Sequence, residues 1–186
     1  MKNQDKSNFS DRLGGLSSFL HRNVWILLAL TFVVAGGVAY GIYTRKHLFY
    51  DTILITDRGN EYKKTEPLLM ITTQASELPQ LESNVLESIH PILNQVNFEK
   101  YFLIAVFQGW KDTLGFGVEI QKITLSGKEI MVNAHFITPV PGRGLAAAVS
   151  SPHHIVKVRK VNLTGTYRVV LQIDGQYLLE ESMMFP

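Results

Sequence analysis

The chain has 186 residues, 46% of them hydrophobic, with a formal net charge of +2 and no cysteine. This composition excludes disulfides, thiolate metal sites and a cysteine nucleophile. Its basic residues are scattered, whereas a nucleic-acid binder concentrates them on one face, so no nucleic-acid partner is expected.

Residues 1–23 form a polar tail in which Lys2, Lys6, Arg12 and Arg22 stand against Asp5 and Asp11. Leu13, Leu16, Phe19 and Leu20 recur at helical spacing. That pattern fits a segment lying on a membrane surface, or a disordered tail that becomes helical near a bilayer. From Val24 to Tyr43 the chain carries no charge. At a helical rise of ~1.5 Å per residue this run spans roughly 30 Å, the thickness of a bilayer's hydrocarbon core. Arg22, Arg45 and Lys46 close its ends, and Trp25, Tyr40 and Tyr43 lie where aromatic rings favour the headgroup region. The expectation is a transmembrane helix over 24–44 that makes the lipid bilayer a partner. Gly37 and Gly41 have the G-x-x-x-G spacing that lets two membrane helices approach closely. Positive charge flanks both ends, so the positive-inside rule does not orient the helix. A basic start before an apolar run resembles an uncleaved signal anchor, with tail inside and domain outside. The alternative is a cleaved signal peptide, for which Gly37-Val38-Ala39 offers a small-x-small site.

Residues 45–186 are enough for one domain with a real core. Residues 50–56 and 68–73 read as strands separated by a turn at Asp57-Arg58-Gly59-Asn60. Next comes an expected amphipathic helix, capped by Ser76, with Leu78, Leu81, Val85, Leu86, Ile89 and Leu93 on one face. Pro91 is expected to end or kink it, and His90 beside the apolar face reads as a structural histidine. The run YFLIAVF over 101–107 is apolar throughout, as in a central strand covered on both faces. Phe116, Val118 and Ile120 alternate with polar or small residues, and the phase then slips to Ile123 and Leu125, which predicts a bulge near Gln121-Lys122. Ser126-Gly127-Lys128 and Asp174-Gly175 mark hairpin turns, and Val156, Val158 and Tyr167 to Ile173 continue the β pattern. One helix and seven or eight strands predict a compact α+β domain, mainly antiparallel, built as a sandwich or rolled sheet.

No G-x-S-x-G elbow, Walker pattern or dinucleotide fingerprint is present; Gly115-Phe116-Gly117 leads into a strand rather than a helix. His153-His154 is the most metal-like pair, but adjacent strand residues point to opposite faces and no acidic cluster accompanies them. No enzyme activity, metal or cofactor is expected. Two unusual loops remain, 109–117 and 138–152. They flank the hairpin formed by strands 116–125 and 129–137, so both emerge at one end of it. They carry Trp110, Phe116, Pro139, Pro141 and Arg143, a glycine- and proline-shaped surface with the side chains favoured as binding anchors. The plainer alternative is that Trp110 packs on the core and Arg143 is merely exposed.

The run Val96-Asn97-Phe98-Glu99-Lys100, the strand ending at Gly109, then Lys111 to Phe116 with Val118 and Ile120, resembles the C-terminal domain of the PrcB family. The family pattern is a V-D-F-x-K opening, an apolar strand ending in glycine, a T-G-G-Y-x-V-x-I turn and strand, a P-x-P-G loop and a P-x-x-x-V-x-I strand. Thr138 to Gly142 and Pro152 to Val158 resemble the last two, so the likeness covers roughly residues 85–160. Leu114 stands where glycine is expected and Phe116 where tyrosine is usual. The resemblance implies a β-rich accessory domain outside the cytoplasm, in a family named for a protease-complex subunit. The expected function is therefore a bacterial, membrane-anchored, non-enzymatic module. It would bind one or more protein partners, a protease complex among them, from the cytoplasmic membrane. The alternative is a small single-pass structural subunit of a larger membrane complex, held mainly by its helix.

Overall fold

The computed structural model describes residues 30–34, 45–140 and 146–186. The chain divides into two units, Met1–Arg45 and Lys46–Pro186. In the first, residues 30–34 are helical, with Leu30, Phe32, Val33 and Val34 exposed. No helix among the described residues is long and apolar enough to cross a membrane. The rest of the expected span, with Gly37 and Gly41, lies outside the described residues.

The second unit holds nine strands: β1 Lys46–His47, β2 Tyr50–Thr56, β3 Leu68–Thr72, β4 Tyr101–Phe107, β5 Gly117–Ser126, β6 Glu129–Ile137, β7 His153–Arg159, β8 Gly165–Ile173 and β9 Gln176–Phe185. They form a five-stranded sheet in the order β1-β5-β6-β8-β9 and a four-stranded sheet in the order β2-β7-β4-β3. Neighbours are antiparallel except β6 and β8, which run parallel. Both hairpin turns use the residues their geometry demands: Asp174 and Gly175 both have positive φ, 52° and 81°, as a two-residue turn matched to strand twist requires.

The expected class, a transmembrane helix followed by an α+β domain, is corrected by these observations. The described residues are mostly β, and the single amphipathic helix of 76–93 does not form. Its place is taken by short turns, Ala75–Glu77, Leu78–Glu82, Glu87–Ile89 and His90–Leu93. Proline tolerates only the first turn of a helix. Pro79 and Pro91 each occupy one, so Pro91 begins a helical turn instead of ending one. Leu86, at ψ 135°, breaks the path between them. Ser76 makes no cap; the Glu77 carboxylate instead accepts the Thr73 N–H at 2.7 Å. The apolar spacing survives the break. Leu78, Leu81, Val85 and Leu93 are buried against Leu103, Ala105, Phe107 and Ile155 on the outer face of the four-stranded sheet.

The other face of that sheet meets the five-stranded sheet across the main core. Phe102, Ile104 and Val106 of β4 enter it beside Val118, Ile120, Ile130, Val132, Val169 and Leu171. β4 therefore faces a core on each side, which its unbroken apolar run requires. Each fully buried side chain of this size contributes roughly 1.5–3 kcal/mol. The exposed Arg168 pairs with Glu129 and Glu180 add little beside that, since water and salt screen surface ion pairs.

The β5 bulge lies where the phase slip placed it: Ile120 opposes Ala134 and Lys122 opposes Asn133, leaving Gln121 extra. The peptide groups of Ile120 are bound by the opposite sheet. Its N–H donates to His154 Nδ1 at 2.9 Å, and its carbonyl accepts the Tyr50 hydroxyl at 2.9 Å. With Nδ1 accepting, the ring proton sits on Nε2 and is donated to Thr52 Oγ1 at 2.9 Å. Burial, with Glu119 nearby, pushes the Tyr50 hydroxyl above its ordinary pKa and keeps it a donor.

Burial lowers the pKa of both His153 and His154 from the ordinary value of 6.5. The unfolded chain therefore takes up protons first as the pH falls. The neutral rings contribute their full stability above about pH 6.5, and that contribution is lost progressively below it. His154→Leu leaves the buried Ile120 N–H without an acceptor and should cost about 1–3 kcal/mol at pH 7.5. Denaturant titrations at pH 7.5 and 5.5 should also show a smaller acid-induced loss in the variant than in the unaltered chain.

Candidate functional site

At one end of the sandwich three loops meet: 57–67 after β2, 108–116 after β4 and 138–152 after β6. The two loops singled out in the sequence do come together. Lys111 and Ser150 form a β-bridge, Lys111 N–H donating to Ser150 O at 2.8 Å and Ser150 N–H to Lys111 O at 2.9 Å. Ser150 Oγ donates to Thr113 O at 3.4 Å, and Leu114 N–H reaches Ala146 O at 3.3 Å.

The third loop is joined to them by glycines. Gly109 has φ +87°, and a Cβ built on it would lie 2.2 Å from Thr65 O, so only glycine lets the two loops touch. One residue on, Trp110 N–H donates to Lys64 O at 2.8 Å. Gly59 lies flat on His153, where a Cβ would stand 2.5 Å from the ring Cε1. Its carbonyl accepts the Ser151 N–H.

Beneath the loops is a buried polar layer of Gln108, Ser150, Ser151 and His153. Gln108 Nε2 donates to Ile137 O at 3.2 Å, which ties the end of β6 to the loop after β4. His153 Nδ1 donates to Ser151 O at 2.9 Å, and the ring packs on Phe107 with centroids 4.9 Å apart. The adjacent histidines thus point to opposite faces of β7 and carry opposite tautomers, the proton on Nδ1 in His153 and on Nε2 in His154. Their backbone spacing keeps them from sharing one ion. Among the described residues no group of three or more His, Asp or Glu side chains is placed to hold a metal. His135 meets Asp174 at 2.5 Å on the exposed surface, with no hydroxyl hydrogen-bonded to the pair.

Above this layer the surface is apolar. A hollow of about 390 Å³ is lined by Ile55, Thr56, Asp57, Gly115, Phe116, Gly117, Val118 and Ile137. Ile55 and Ile137 are 52% and 43% exposed on its rim, and Val140 is 62% exposed near the start of the loop after β6. Lys111 Nζ stands 5.3 Å from the centroid of the Phe116 ring, a cation–π contact at the hollow's wall.

Of the residues named from sequence, Trp110, Phe116 and Pro139 are half-buried at this end. Phe116 lines the hollow; Trp110 is held by its main chain to the loop after β2. Pro141 and Arg143 lie outside the described residues. Sequence reading missed Ile55, Ile137 and Gly59. The turn at Asp57–Asn60 was legible, but nothing in its residues shows which distant loop it meets. Ile55 and Ile137 carry the alternation of their strands, and only the ends of β2 and β6 coming together makes them a surface.

Fold and site define a class: a β-rich domain with helical turns on one sheet and a loop-built apolar hollow at one end. The segment that builds most of that end is also the one that resembles a known family. Residues 102–159 match the family model described as PrcB C-terminal, so this segment is similar to that domain over β4 to β7 and both intervening loops. No curated protein and no solved structure matches the chain.

Glycine substitutions separate backbone strain from loop contact. Gly127→Ala, at φ +57° with nothing within 4 Å of the added Cβ, should cost only about 1–2 kcal/mol. Gly109→Ala adds a collision with Thr65 O to similar strain and should cost at least twice as much. Thermal unfolding of the two variants side by side checks the ordering.

Proposed function

We propose that the protein is a non-enzymatic accessory module that works outside the cytoplasm and binds a protein partner, a component of a protease complex. The surface used is the end bearing Trp110, Phe116 and Pro139, with Ile55 and Ile137 on the rim of its hollow. One observation carries this reading: an exposed apolar hollow is framed by loops that are fixed to one another through main-chain hydrogen bonds and glycine contacts. A preformed apolar hollow gains affinity because its loops lose little entropy when a partner docks. Aromatic side chains on such a frame are the residue types that carry most of the energy of protein interfaces. The resemblance to the PrcB family supplies the kind of partner, and the matched segment contains Trp110, Phe116 and Pro139.

Gentle purification of the tagged chain with its bound proteins identifies the partner. The double variant Trp110→Ala/Phe116→Ala should then weaken its capture at least tenfold, as loss of an interface anchor worth more than ~1.4 kcal/mol does. Its unfolding midpoint should stay close to that of the unaltered chain, because both side chains are only half-buried. Undiminished capture by a folded double variant removes the site assignment.

A further inference from the structure

Among the described residues each sheet ends in an unpaired strand on the side away from β1 and β2. β3 is the last strand of one sheet and β9 the last of the other. They approach at one point, where Thr73 Oγ1 donates to Met184 O at 3.3 Å. Between them is a hollow of about 500 Å³, lined by Leu68 to Ile71 of β3 and by Glu181 and Met183 of β9, with Lys63 and Lys64 at its mouth.

The main-chain direction of β9 follows from two hydrogen bonds. Arg168 of β8 opposes Ser182, yet its N–H donates to Lys128 O on the β6 side. The Arg168–Ser182 pair is therefore one that does not share ladder hydrogen bonds, and the N–H and C=O of Ser182 point away from β8. Met184, two residues on, shows the same orientation directly, since its carbonyl reaches Thr73. Glu180, two residues before, shares it by the period of the strand. β9 is ten residues long, contains no proline, and is exposed at Glu180, Glu181 and Ser182.

We propose that this slot takes an extended segment of a partner protein as an added strand. The segment pairs with the outward main chain of Glu180 and Ser182 and rests its inward apolar side chains beside Met183 and against the edge of β3 at Leu69 and Ile71. A free strand edge selects this occupant: an extended chain offers unpaired N–H and C=O groups in the matching period, whereas a helix has already used its own. Charge selects its composition. Glu181, on the inward face opposite Val169, has no ion-pair partner among the described residues, and neither has Lys63 or Lys64. The segment is therefore basic where it passes Glu181 and acidic where it passes the lysines. This surface shares the loop 57–67 with the loop-built end but uses a different face, the β3 and β9 edges, and the inference does not rest on the function proposed for that end.

The test uses the full chain and a capped seven-residue peptide alternating valine and threonine, with lysine at one end and glutamate at the other. Backbone amide exchange and chemical shifts are followed on titration. Saturable changes confined to Leu69–Ile71 and Glu180–Ser182 are expected. Ser182→Pro removes only an outward N–H on an edge strand, so the variant should fold and bind about tenfold more weakly. Glu181→Lys should weaken binding about fivefold. Trp110→Ala/Phe116→Ala should leave peptide binding unchanged, which separates this surface from the other. Changes elsewhere, no changes, or equal binding by a folded Ser182→Pro variant overturn the proposal. So does sedimentation as a dimer with the Ser182 amide already protected, because a second copy then fills the slot.

Discussion

The main chain of one residue holds the two sheets in register with each other. Ile120 lies at the β5 bulge, where the ladder to β6 is interrupted and its N–H and C=O turn outward. Tyr50 and His154, from two neighbouring strands of the opposite sheet, take one group each. A bulge inside a core would otherwise leave main-chain polar groups without partners, at a cost of about 1–3 kcal/mol for each. Satisfying them from across the core offsets that cost and makes the offset between sheets specific. The bulge also lets both halves of β5 face the core: Val118 and Ile120 before it, Ile123 after it, all within 2% of complete burial. A neutral, singly protonated imidazole is essential to this arrangement, because a doubly protonated ring has no acceptor to offer Ile120.

The loop-built end depends on the same region. β5 begins three residues before Ile120, directly after Gly115 and Phe116, and β7 begins at His153, beside the histidine that holds the bulge. The family segment 102–159 spans the central strand β4, the β5–β6 hairpin and β7. These pieces belong to different sheets: β4 and β7 to one, the hairpin to the other. β7 is completed by β2 on its other side, and β6 by β8. The matched residues thus supply the middle of each sheet and the site between, while the flanking strands cover edges that the segment leaves open.

What could be read in the sequence was local. The apolar run of β4, the bulge at Gln121, both hairpin turns and the meeting of the loops at 109–117 and 138–152 all follow from period, phase or turn chemistry within a short window. The helix failed because apolar spacing at 78–93 is the same for one helix and for separate turns packed on a sheet. Two prolines and the extended Leu86 decide between them: Pro79 opens the first turn, and Pro91, which reads as a terminator, opens a new one. The transmembrane expectation rests on length, hydropathy and the basic and aromatic residues at its ends, and no helix of that length stands among the described residues. His153-His154 was recognised as chemically unusual, but its partners are Ser151, Thr52 and the main chain of Ile120. The last two come from segments far away in sequence, and no motif announces them. Ile55 and Ile137 looked like ordinary strand residues because a hollow made by three strand ends has no signature in any one of them.

The parallel pairing of β6 with β8 has a consequence for how the domain is made. Two parallel neighbours cannot be joined by a tight turn. The chain leaves β6, crosses to the other sheet to form β7, and only then returns as β8. The sheet containing β8 and β9 is therefore joined to β6 in the chain through β7, a strand of the other sheet that lies between β2 and β4. Pairing of this kind is non-local, and loop closure over long separations comes before the contacts that reward it, which slows folding.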